Sequence, residues 1–386
     1  MDLEKRLEAQ MPEMKDMLEQ LVNTDSNTYD KKGVDSIGNL LKDKFEELGM
    51  YVHIHREKEH GNNLEVKADR GSDPKILIVA HMDTVFPAGT AQERPFEIID
   101  DKAYGPGVSD EKASHVSVLY ALKALKESGS HAYKNVHVIF NSDEEIGSPT
   151  SKPLIKKAAN NKHFSLVVES GRPGDAVVSQ RKGVGRFDLE VEGKGAHAGV
   201  EPELGRSAIN ELSHKVIKLQ DLNNYEEGLS VNVGLFNGGT SSNTVPPDAD
   251  AKVDVRVKDK QQAKEVTKEI SDIADQDIVE GTSTKIEGGM AQPPMEKTEE
   301  TEKLLEVIRA AGKELGMSVK DESTGGASDA AYTADEGVPT VDGMGPLGEF
   351  SHSLTEEYVD LKTFPKRTAL LARSIELLTN NRNKEQ

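Results

Sequence analysis

The feature that most constrains this chain is an uninterrupted apolar run, residues 76–80, that ends directly in a histidine. Such a run is typical of a strand buried on both faces, as in a parallel sheet. His81 follows at once, and Asp83 comes two residues later, on the same side of an extended backbone. Because open α/β sheets bind ligands at the carboxyl ends of their strands, His81 is a candidate metal ligand that Asp83 could orient. Taken alone, the pattern favours a plainer interpretation, a solvated histidine at a capped strand end.

The same pattern recurs further along the chain. An apolar strand at 135–141 runs into Glu144 and Glu145, and another at 164–168 ends in Glu169. Asp110 closes a loop rich in glycine and proline just before a helix predicted at 113–125, a position that also suits an ordinary N-cap. Consecutive acids at a strand end are costly unless a positive group neutralises them. The recurrence therefore predicts a metal site rich in oxygen and nitrogen ligands.

Composition narrows the ligands and the partners. The chain has no cysteine among its 386 residues, so any metal must be held by histidine, aspartate and glutamate. The same absence fits a reducing cytoplasm. A formal charge of -20 argues against a nucleic-acid partner, which needs a basic surface. No apolar segment reaches the ~18–20 residues of a membrane span, and the charged N-terminus lacks the apolar stretch of a signal peptide. We expect a cytoplasmic protein that binds neither membrane nor nucleic acid.

The length predicts two or three domains. From about residue 180 the pattern changes to β-α-β-β-α-β, the order of a split ferredoxin-like unit. We therefore predict an α/β catalytic domain with a mixed, largely parallel sheet, formed by residues 1–179 and 291–386. An α+β domain at 180–290 is inserted into it. A later glycine-rich loop, which includes Gly326, opens a helix and offers backbone N–H groups suited to an anion.

Taken together, the motifs resemble one family: the co-catalytic zinc peptidases and amidohydrolases that include carboxypeptidase G, peptidase T, aminoacylase and acetylornithine deacetylase. The resemblance covers nearly the whole chain, and residues 324–332 and the late histidine are most similar to the carboxypeptidase G branch. It rests on His81-x-Asp83, Gly-Pro-Gly-Val-Ser-Asp at 105–110, Asp-Glu-Glu-Ile-Gly at 143–147, Glu169, Gly-Ala-His-Ala-Gly at 195–199, Asn243 before Pro246, and Ser-His-Ser at 351–353.

The resemblance implies a role for each of these residues. It implies two zinc ions per subunit, replaceable by cobalt or manganese, with Asp110 bridging them. The inserted domain would act as a lid and would join two copies of the chain into a homodimer. The implied metal ligands are His81, Asp110, Glu145, Glu169 and His352. Glu144 is implied as the general base, Asp83 as the residue that orients His81, His197 and Asn243 as groups that polarise the scissile carbonyl, and Arg256 as a group that binds the substrate carboxylate.

The sequence departs from the pattern of this family at three places. Asp110 is followed by Glu-Lys-Ala-Ser where the family usually shows Lys-Gly-Gly, and the second glycine loop reads Gly-Gly-Ala. The carboxypeptidase G branch has an arginine just before the Pro-Pro pair at 293–294, where this chain has Gln292. An amide cannot form a charge-assisted bidentate pair with a carboxylate. We therefore expect a preference broader than C-terminal glutamate alone.

Three functions are compatible with these motifs. The first is a carboxypeptidase or dipeptidase that cleaves an amide next to a free carboxylate. The second is an N-acyl-amino-acid deacylase, whose substrate presents the same two groups. The third is a non-catalytic binding module on the same scaffold, which loss of Glu144 or of a ligand would have signalled. The chain contains no nucleotide-binding fingerprint that would favour a phosphate-binding enzyme.

Overall fold

The computed structural model describes residues 3–382, which group into two compact units. The first unit contains the described residues up to Gln180, then Lys297–Ser323 and the residues from Ser328 onward. The second contains Arg181–Glu296 and Thr324–Ala327. Among the described residues, no helix combines the length and the apolarity that a membrane span requires.

In chain order, the helices are α1 (Leu3–Val22), α2 (Lys31–Glu47), α3 (Thr90–Glu93), α4 (Ala113–Glu127), α5 (Lys152–Ala159), α6 (Ala208–Asp221), α7 (Lys260–Ala274), α8 (Glu299–Glu314), α9 (Ala330–Asp335) and α10 (Phe364–Arg382). The strands are β1 (Tyr51–His55), β2 (Asn63–Lys67), β3 (Ile76–His81), β4 (Glu97–Ile99), β5 (Lys102–Tyr104), β6 (Val136–Asn141), β7 (Phe164–Val167), β8 (Val177–Arg181), β9 (Gly183–Glu192), β10 (Ala196–His197), β11 (Ser230–Gly238), β12 (Thr244–Val245), β13 (Asp248–Val257), β14 (Ser283–Gln292), β15 (Asp321–Thr324), β16 (Thr340–Val341), β17 (Gly348–Glu349) and β18 (Tyr358–Asp360).

The first unit is built on a six-stranded mixed sheet in the order β1-β2-β6-β3-β7-β16. The pairs β6–β3, β3–β7 and β7–β16 are parallel, whereas β1–β2 and β2–β6 are antiparallel. All six residues of β3 are buried, because a central parallel strand is covered on both faces. The register sets His81 beside Asn141 and Val79 beside Val167. The predicted α/β fold with a mixed sheet is therefore confirmed.

Helices α1, α4 and α10 pack together in the core of the first unit. Helix α1 shows the helical spacing expected of a packing helix, with Leu7, Met14, Leu18 and Leu21 buried. A second, smaller sheet in this unit has the order β17-β18-β5-β4. The sequence did not predict this sheet, because its strands have only two or three residues each.

The second unit has its own antiparallel sheet, in the order β11-β13-β9-β14, against which α6 and α7 pack. Along β9 the buried residues Phe187, Leu189 and Val191 alternate with exposed polar residues. This alternation is typical of an antiparallel strand with one face on the core and one in water. The buried side chains form a hydrophobic core distinct from that of the first unit.

Local backbone geometry sets where these elements begin and end. Helix α2 begins at Lys31, because the side chain of Asp30 accepts the N–H of Gly33 and caps it. Strand β14 continues to Gln292. Asp110 makes no N-cap hydrogen bond, because an irregular helical turn, Val108–Lys112, precedes α4. The plain N-cap interpretation of Asp110 is therefore wrong.

Candidate active site

His81, at the carboxyl end of β3, is 2% exposed, and a backbone contact orients its ring. Its Nδ1 atom lies 3.0 Å from the backbone oxygen of Asp83, so Nδ1–H donates to that carbonyl. The Nε2 atom then faces the Oδ1 atom of Asp110 at 3.0 Å. Without a proton or cation at Nε2, two lone pairs would face each other across this contact. Fixing one ring nitrogen by a carbonyl is the usual way in which proteins orient a metal-binding imidazole.

Asp110 presents one carboxylate oxygen to each of two histidines. Its Oδ1 atom faces His81, and its Oδ2 atom lies 3.2 Å from Nε2 of His352. His352 is half-exposed, and its Nε2 also lies 3.1 Å from Oε2 of Glu145. Glu169 completes the cluster, with Oε1 3.9 Å from Nε2 of His81.

Two groups of side chains in this cluster could each hold a metal ion, and they share Asp110. In each group the ligand atoms lie within 4.8 Å of one another. The first group is His81, Asp110 and Glu169; the second is Asp110, Glu145 and His352. Imidazole nitrogen and carboxylate oxygen are ligands that suit zinc and its neighbours in the first transition row.

Opposing electrostatic effects act on the two histidines and Asp110. Burial disfavours the charged ring of His81, but Glu111, Asp110 and Asp83 outweigh burial and raise the pKa of His81 well above its usual value. Hydrogen bonds to Asp110 and Glu145 raise the pKa of His352 to about 10. Burial opposes ionisation of Asp110, but its hydrogen bonds to His352 and His81 lower its pKa. The cluster therefore favours positive charge at both imidazoles.

The carboxyls of Glu144 and Glu145 favour the neutral form. Burial and the neighbouring acids raise the pKa of Glu144 well above its usual value, although His81 opposes them. Burial also raises the pKa of Glu145, against the effect of His352. Neither oxygen of the buried Glu111, nor Oε1 of Glu145, receives a hydrogen bond from residues 3–382. A buried polar atom without a partner is costly, so these oxygens and the excess of acids fit a cation-binding site.

Asp83 is fully buried and fixes the backbone that carries the two neighbouring glutamates. Its Oδ1 accepts the N–H of Glu144 at 3.1 Å, and its Oδ2 accepts the N–H of Glu145 at 3.2 Å. Thr28 donates its hydroxyl to Oδ2 at 2.6 Å. The carboxylate lies 3.5 Å from Nδ1 of His81, further than the backbone oxygen of Asp83. Asp83 therefore orients His81 through its main chain and the glutamates through its side chain.

A family model described as "Peptidase family M20/M25/M40" matches residues 77–377. Carboxypeptidase G2 of Pseudomonas sp. strain RS-16 is 34% identical over 364 residues, which cover 93% of this chain and 87% of that protein. The chain belongs to peptidase family M20/M25/M40. The predicted family is confirmed, and membership makes this chain a hydrolase of the metallopeptidase class.

Solved structures agree with the M20 fold. Aminopeptidase PepT of Bacillus cereus superposes with a TM-score of 0.79 at 24% identity, over 96% of this chain and 99% of that one. The YxeP protein of Bacillus subtilis, described as a dinuclear metal-binding peptidase of the M20 family, gives a TM-score of 0.70 at 18% identity. That alignment covers 96% of this chain and 99% of YxeP.

In the second unit of this M20 protein, His197 and Asn243 lie close together on a short ribbon. Strands β10 and β12 pair His197 with Thr244, and the carbonyl of Asn243 accepts the N–H of Ala198 at 2.9 Å. The N–H of Gly199 donates to Nδ1 of His197 at 3.1 Å. In the neutral ring the proton is therefore on Nε2, and His197 is exposed, so it presents a hydrogen-bond donor to solvent.

The other predicted substrate-binding residues of the second unit have internal partners. Arg256 forms a bidentate pair with Asp254, at 2.8 and 3.1 Å, on the polar face of β13. Gln292 is buried at the end of β14. The carbonyl of Gly326 accepts a hydrogen bond from the guanidinium of Arg181 at 3.1 Å. The structure thus shows what holds Arg256 and Gly326, and a role toward substrate stays a prediction.

Two acidic residues of the active-site cluster were not predicted from the sequence. Glu111 is 1% exposed, with Oε2 3.6 Å from Nε2 of His81. Its place directly after Asp110 was the available signal. Glu357 is fully buried, and its carboxylate accepts three backbone N–H groups of the loop that carries Asp110. A lone glutamate between a loop and a short strand gives no such signal.

Proposed function

We propose that this protein is a two-zinc carboxypeptidase or dipeptidase that cleaves an amide bond next to a free carboxylate. The observation that carries the proposal is the pair of ligand groups that share Asp110. Glu144 directly precedes the ligand Glu145 in the chain and interacts electrostatically with His81 and Glu169. His81, Asp110 and Glu169 would hold one ion, and Asp110, Glu145 and His352 the other. Two such ions would activate water and stabilise the charge that develops on the scissile carbonyl.

Glu144 is the proposed general base. Its neighbour Glu145 faces His352 and belongs to a ligand group, whereas Glu144 belongs to neither group. Bound cations would favour the ionised form of Glu144. The carboxylate would then take a proton from the attacking water as the water oxygen bonds to the amide carbon. It then delivers that proton to the amine nitrogen as the C–N bond breaks. Asp83 supports this role because it fixes the backbone N–H of Glu144.

The second unit is proposed to supply the donor to the carbonyl oxygen. His197 is suited to this role by its Nδ1 contact with Gly199, which leaves Nε2–H as the donor. Asn243 is proposed to assist it from the same ribbon. A donor of this kind contributes roughly 3–4 kcal/mol to transition-state stabilisation in comparable sites. Arg256 and the Gly326 loop are proposed to contact the substrate carboxylate.

The substrate side of the proposal is a small peptide with a free C-terminal carboxylate. Carboxypeptidase G2 is named as a carboxypeptidase, and its match covers 93% of this chain. The buried Gln292 offers an amide where the resemblance expects a guanidinium, so selection for glutamate should be weak. A kcat/KM ratio above ~10³ for glutamate over leucine at the C-terminus would correspond to about 4 kcal/mol of discrimination and would contradict this expectation.

The test is a hydrolysis screen of the purified full chain. The protein is stripped with a chelator and reloaded with zinc, cobalt or manganese, and Glu144→Gln is the matched control. Dipeptides and pteroyl-glutamate should be cleaved in a metal-dependent manner, and the control should be silent. Faster cleavage of N-acetyl amino acids than of any peptide would reassign the protein as a deacylase. Absence of metal-dependent cleavage across all substrates would contradict a hydrolytic role for this site.

We also propose a cytoplasmic homodimer joined through the second unit, with His197 serving the partner's active site. Strand β11 ends the four-stranded sheet, and Leu235 and Phe236 on it are exposed, which suits pairing with a second copy. The inactive variants His197→Ala and Glu144→Gln are mixed under subunit exchange. Half of the dimers are then heterodimers with one intact site, so about a quarter of wild-type activity should return. Proven exchange without recovery would place His197 in its own subunit's site or outside catalysis.

A further inference from the structure

The loops that carry Asp110 and His352 meet at one end of the small sheet of the first unit. Strand β5 ends at Tyr104, which pairs with Tyr358 at the start of β18. The loop of Asp110 therefore leaves the sheet where the hairpin of His352, between β17 and β18, returns to it. Glu357 is the last residue before β18 and stands at this junction.

The carboxylate of Glu357 is fully buried, and both of its oxygens accept backbone N–H groups of the neighbouring loop. Its Oε2 accepts the N–H of Gly107 at 3.1 Å. Its Oε1 accepts the N–H of Ser109 at 3.0 Å and that of Asp110 itself at 3.1 Å. A carboxylate that accepts several N–H groups forms strong, charge-assisted hydrogen bonds, so it fixes the backbone of a loop that has little regular structure.

The main chain around Glu357 is fixed as well. The guanidinium of Arg94 donates to the carbonyl of Ser353 at 3.1 Å and to the carbonyl of Glu357 at 2.9 Å. These two hydrogen bonds hold the ends of segment 353–357, which directly follows His352, to the same guanidinium. The ammonium of Lys112, buried on the other side of the Asp110 loop, donates to the carbonyls of Thr24 and Pro106. The side chain of Glu357 therefore connects two loops, each of which has a cationic support of its own.

We propose that Glu357 is a positioning residue that sets the separation of Asp110 and His352, and with it the affinity of the second ligand group. The inference rests on the proposed function, because it takes Asp110, Glu145 and His352 as ligands of one ion. Its physical basis is that Nε2 of His352 lies 3.2 Å from Asp110 only while the two loops keep their register. Glu357 contacts neither ligand side chain; it acts through the N–H of Asp110 and the chain of the hairpin.

The test compares Glu357→Gln with Glu356→Gln. Both variants replace a carboxyl group with an amide in the same hairpin, but Glu356 is exposed and its carboxylate contacts no N–H group of the Asp110 loop among the described residues. In Glu357→Gln the amide keeps one acceptor oxygen and turns an NH₂ toward donors. Zn²⁺ is titrated by calorimetry into the chelator-stripped full-length protein, in competition with a chelator of known affinity.

We expect the wild type and Glu356→Gln to bind two zinc equivalents alike. In Glu357→Gln one equivalent should bind about 10–100-fold more weakly, the range seen when a residue that supports a metal ligand is replaced. Wild-type affinity for both equivalents in a folded Glu357→Gln protein overturns the inference. So does an equal loss in Glu356→Gln, because nearby charge alone would then be the cause.

Two further outcomes separate this inference from the function on which it rests. A wild-type protein that binds fewer than two zinc equivalents contradicts the proposed function itself, whatever Glu357 does. If Glu357→Gln does not fold, Arg94→Met releases the far side of the hairpin while the carboxylate stays in place. That variant should weaken one zinc equivalent selectively, and unchanged affinity for both would overturn the coupling of the two loops. Thermal unfolding of the stripped proteins reports any loss of fold that is independent of zinc.

Discussion

The two units of this protein each bury charged side chains, but in opposite ways. In the first unit, five carboxyls (Asp110, Glu111, Glu144, Glu145 and Glu169) are grouped with two imidazoles. Acid exceeds base there, and several buried oxygens accept no hydrogen bond from the described residues. The arrangement is electrostatically incomplete by itself, which is the expected property of a site that binds cations.

The second unit buries Glu211 and Lys215 as a pair of opposite charges. Both side chains are inaccessible to solvent, and Nζ of Lys215 lies 2.9 Å from Oε1 of Glu211. The ammonium also donates to three carbonyls at and beyond the end of α7, and Oε2 of Glu211 accepts the N–H groups of Ile278 and Val279. Here the charges serve the fold, because they satisfy backbone groups that α7 leaves unpaired at its carboxyl end.

Burial of charge alone therefore does not identify a functional site. What distinguishes the two regions is whether the local partners balance the charge. In the first unit, burial and the neighbouring acids raise the pKa of Glu144. In the second unit, Val279, Lys215 and Ile278 outweigh burial and lower the pKa of Glu211. If this distinction holds, substitutions in the first unit should change metal binding and chemistry, and substitutions in the second unit should change stability.

Asp110→Ala should have the largest effect on the first unit. Because both ligand groups share Asp110, both zinc ions should be lost together, and hydrolysis should fall to the rate without protein. Plasma emission gives the zinc content, and circular dichroism should show that the fold persists. Asp248→Ala, at an exposed site of the second unit, is the control and should keep both ions. Two zinc equivalents bound to Asp110→Ala with unchanged affinity would mean that Asp110 is no ligand.

Glu144→Gln should separate catalysis from metal binding. We expect kcat to fall by about 10²–10⁴-fold, the usual contribution of a general base, and zinc content to stay at the wild-type level. In the chelator-stripped protein the replaced carboxyl already favours its neutral form, so the unfolding free energy of that protein should change little. Steady-state kinetics together with metal analysis measure both quantities. Turnover close to that of the wild type would remove Glu144 from its proposed role.

Lys215→Met should have the opposite effect: it should lower the unfolding free energy without changing zinc binding or the hydrolytic step. Removing one partner leaves the charge of Glu211 buried and uncompensated, at a cost of about 3–5 kcal/mol in unfolding free energy. Lys218 lies about one turn further along α6, and its ammonium makes an exposed contact with Gln276. The unfolding free energy of Lys218→Met should therefore stay within about 0.5 kcal/mol of the wild-type value. Urea unfolding followed by circular dichroism measures the difference. Hydrogen exchange should locate the loss in β9 and β13, and a loss confined to the first unit would contradict the comparison.

The most gradual effect concerns the pH dependence of stability near the active site. Burial raises the pKa of Asp329 from 3.8 to about 7, although Ser148 and Asn141 donate to its carboxylate. The folded protein therefore holds a proton that the unfolded chain releases between about pH 4 and about pH 7. The unfolding free energy should fall as pH rises through that window, by up to about 1.4 kcal/mol per pH unit for one proton.

Asp329→Asn should flatten this fall, because an amide does not titrate. The measurement is urea unfolding of chelator-treated protein at several pH values between about 4 and about 7, compared with Asp248→Asn, which should keep the wild-type slope. The carboxyl of Glu211 gives the opposite sign: its lowered pKa adds stability that is lost only as pH falls below its usual range. A slope unchanged by Asp329→Asn would show that Asp329 is ionised in the folded protein across the window.

Much of this molecule follows from local sequence pattern. The run at 76–80 predicted β3, because the spacing of the apolar residues along a strand reflects which of its faces are buried. The acids placed after each strand pointed to one edge of the sheet, where parallel strands end together. Motif spacing was sufficient for the family, which the comparisons confirm.

The tertiary structure decided which partner each polar side chain has. Glu357 reaches N–H groups about 250 positions earlier in the chain, and Asp83 contacts the backbone of Glu144 rather than holding His81 through its carboxylate alone. Lys215 pairs with Glu211 under the end of α7. Apart from the Glu211–Lys215 pair itself, which has the i,i+4 spacing of a helix, none of these contacts has a period or a motif. A hydrogen bond between distant segments depends on where the loops close in three dimensions. Sequence therefore determined the candidate ligands and the strands that carry them, and only the fold determined what holds those ligands in place.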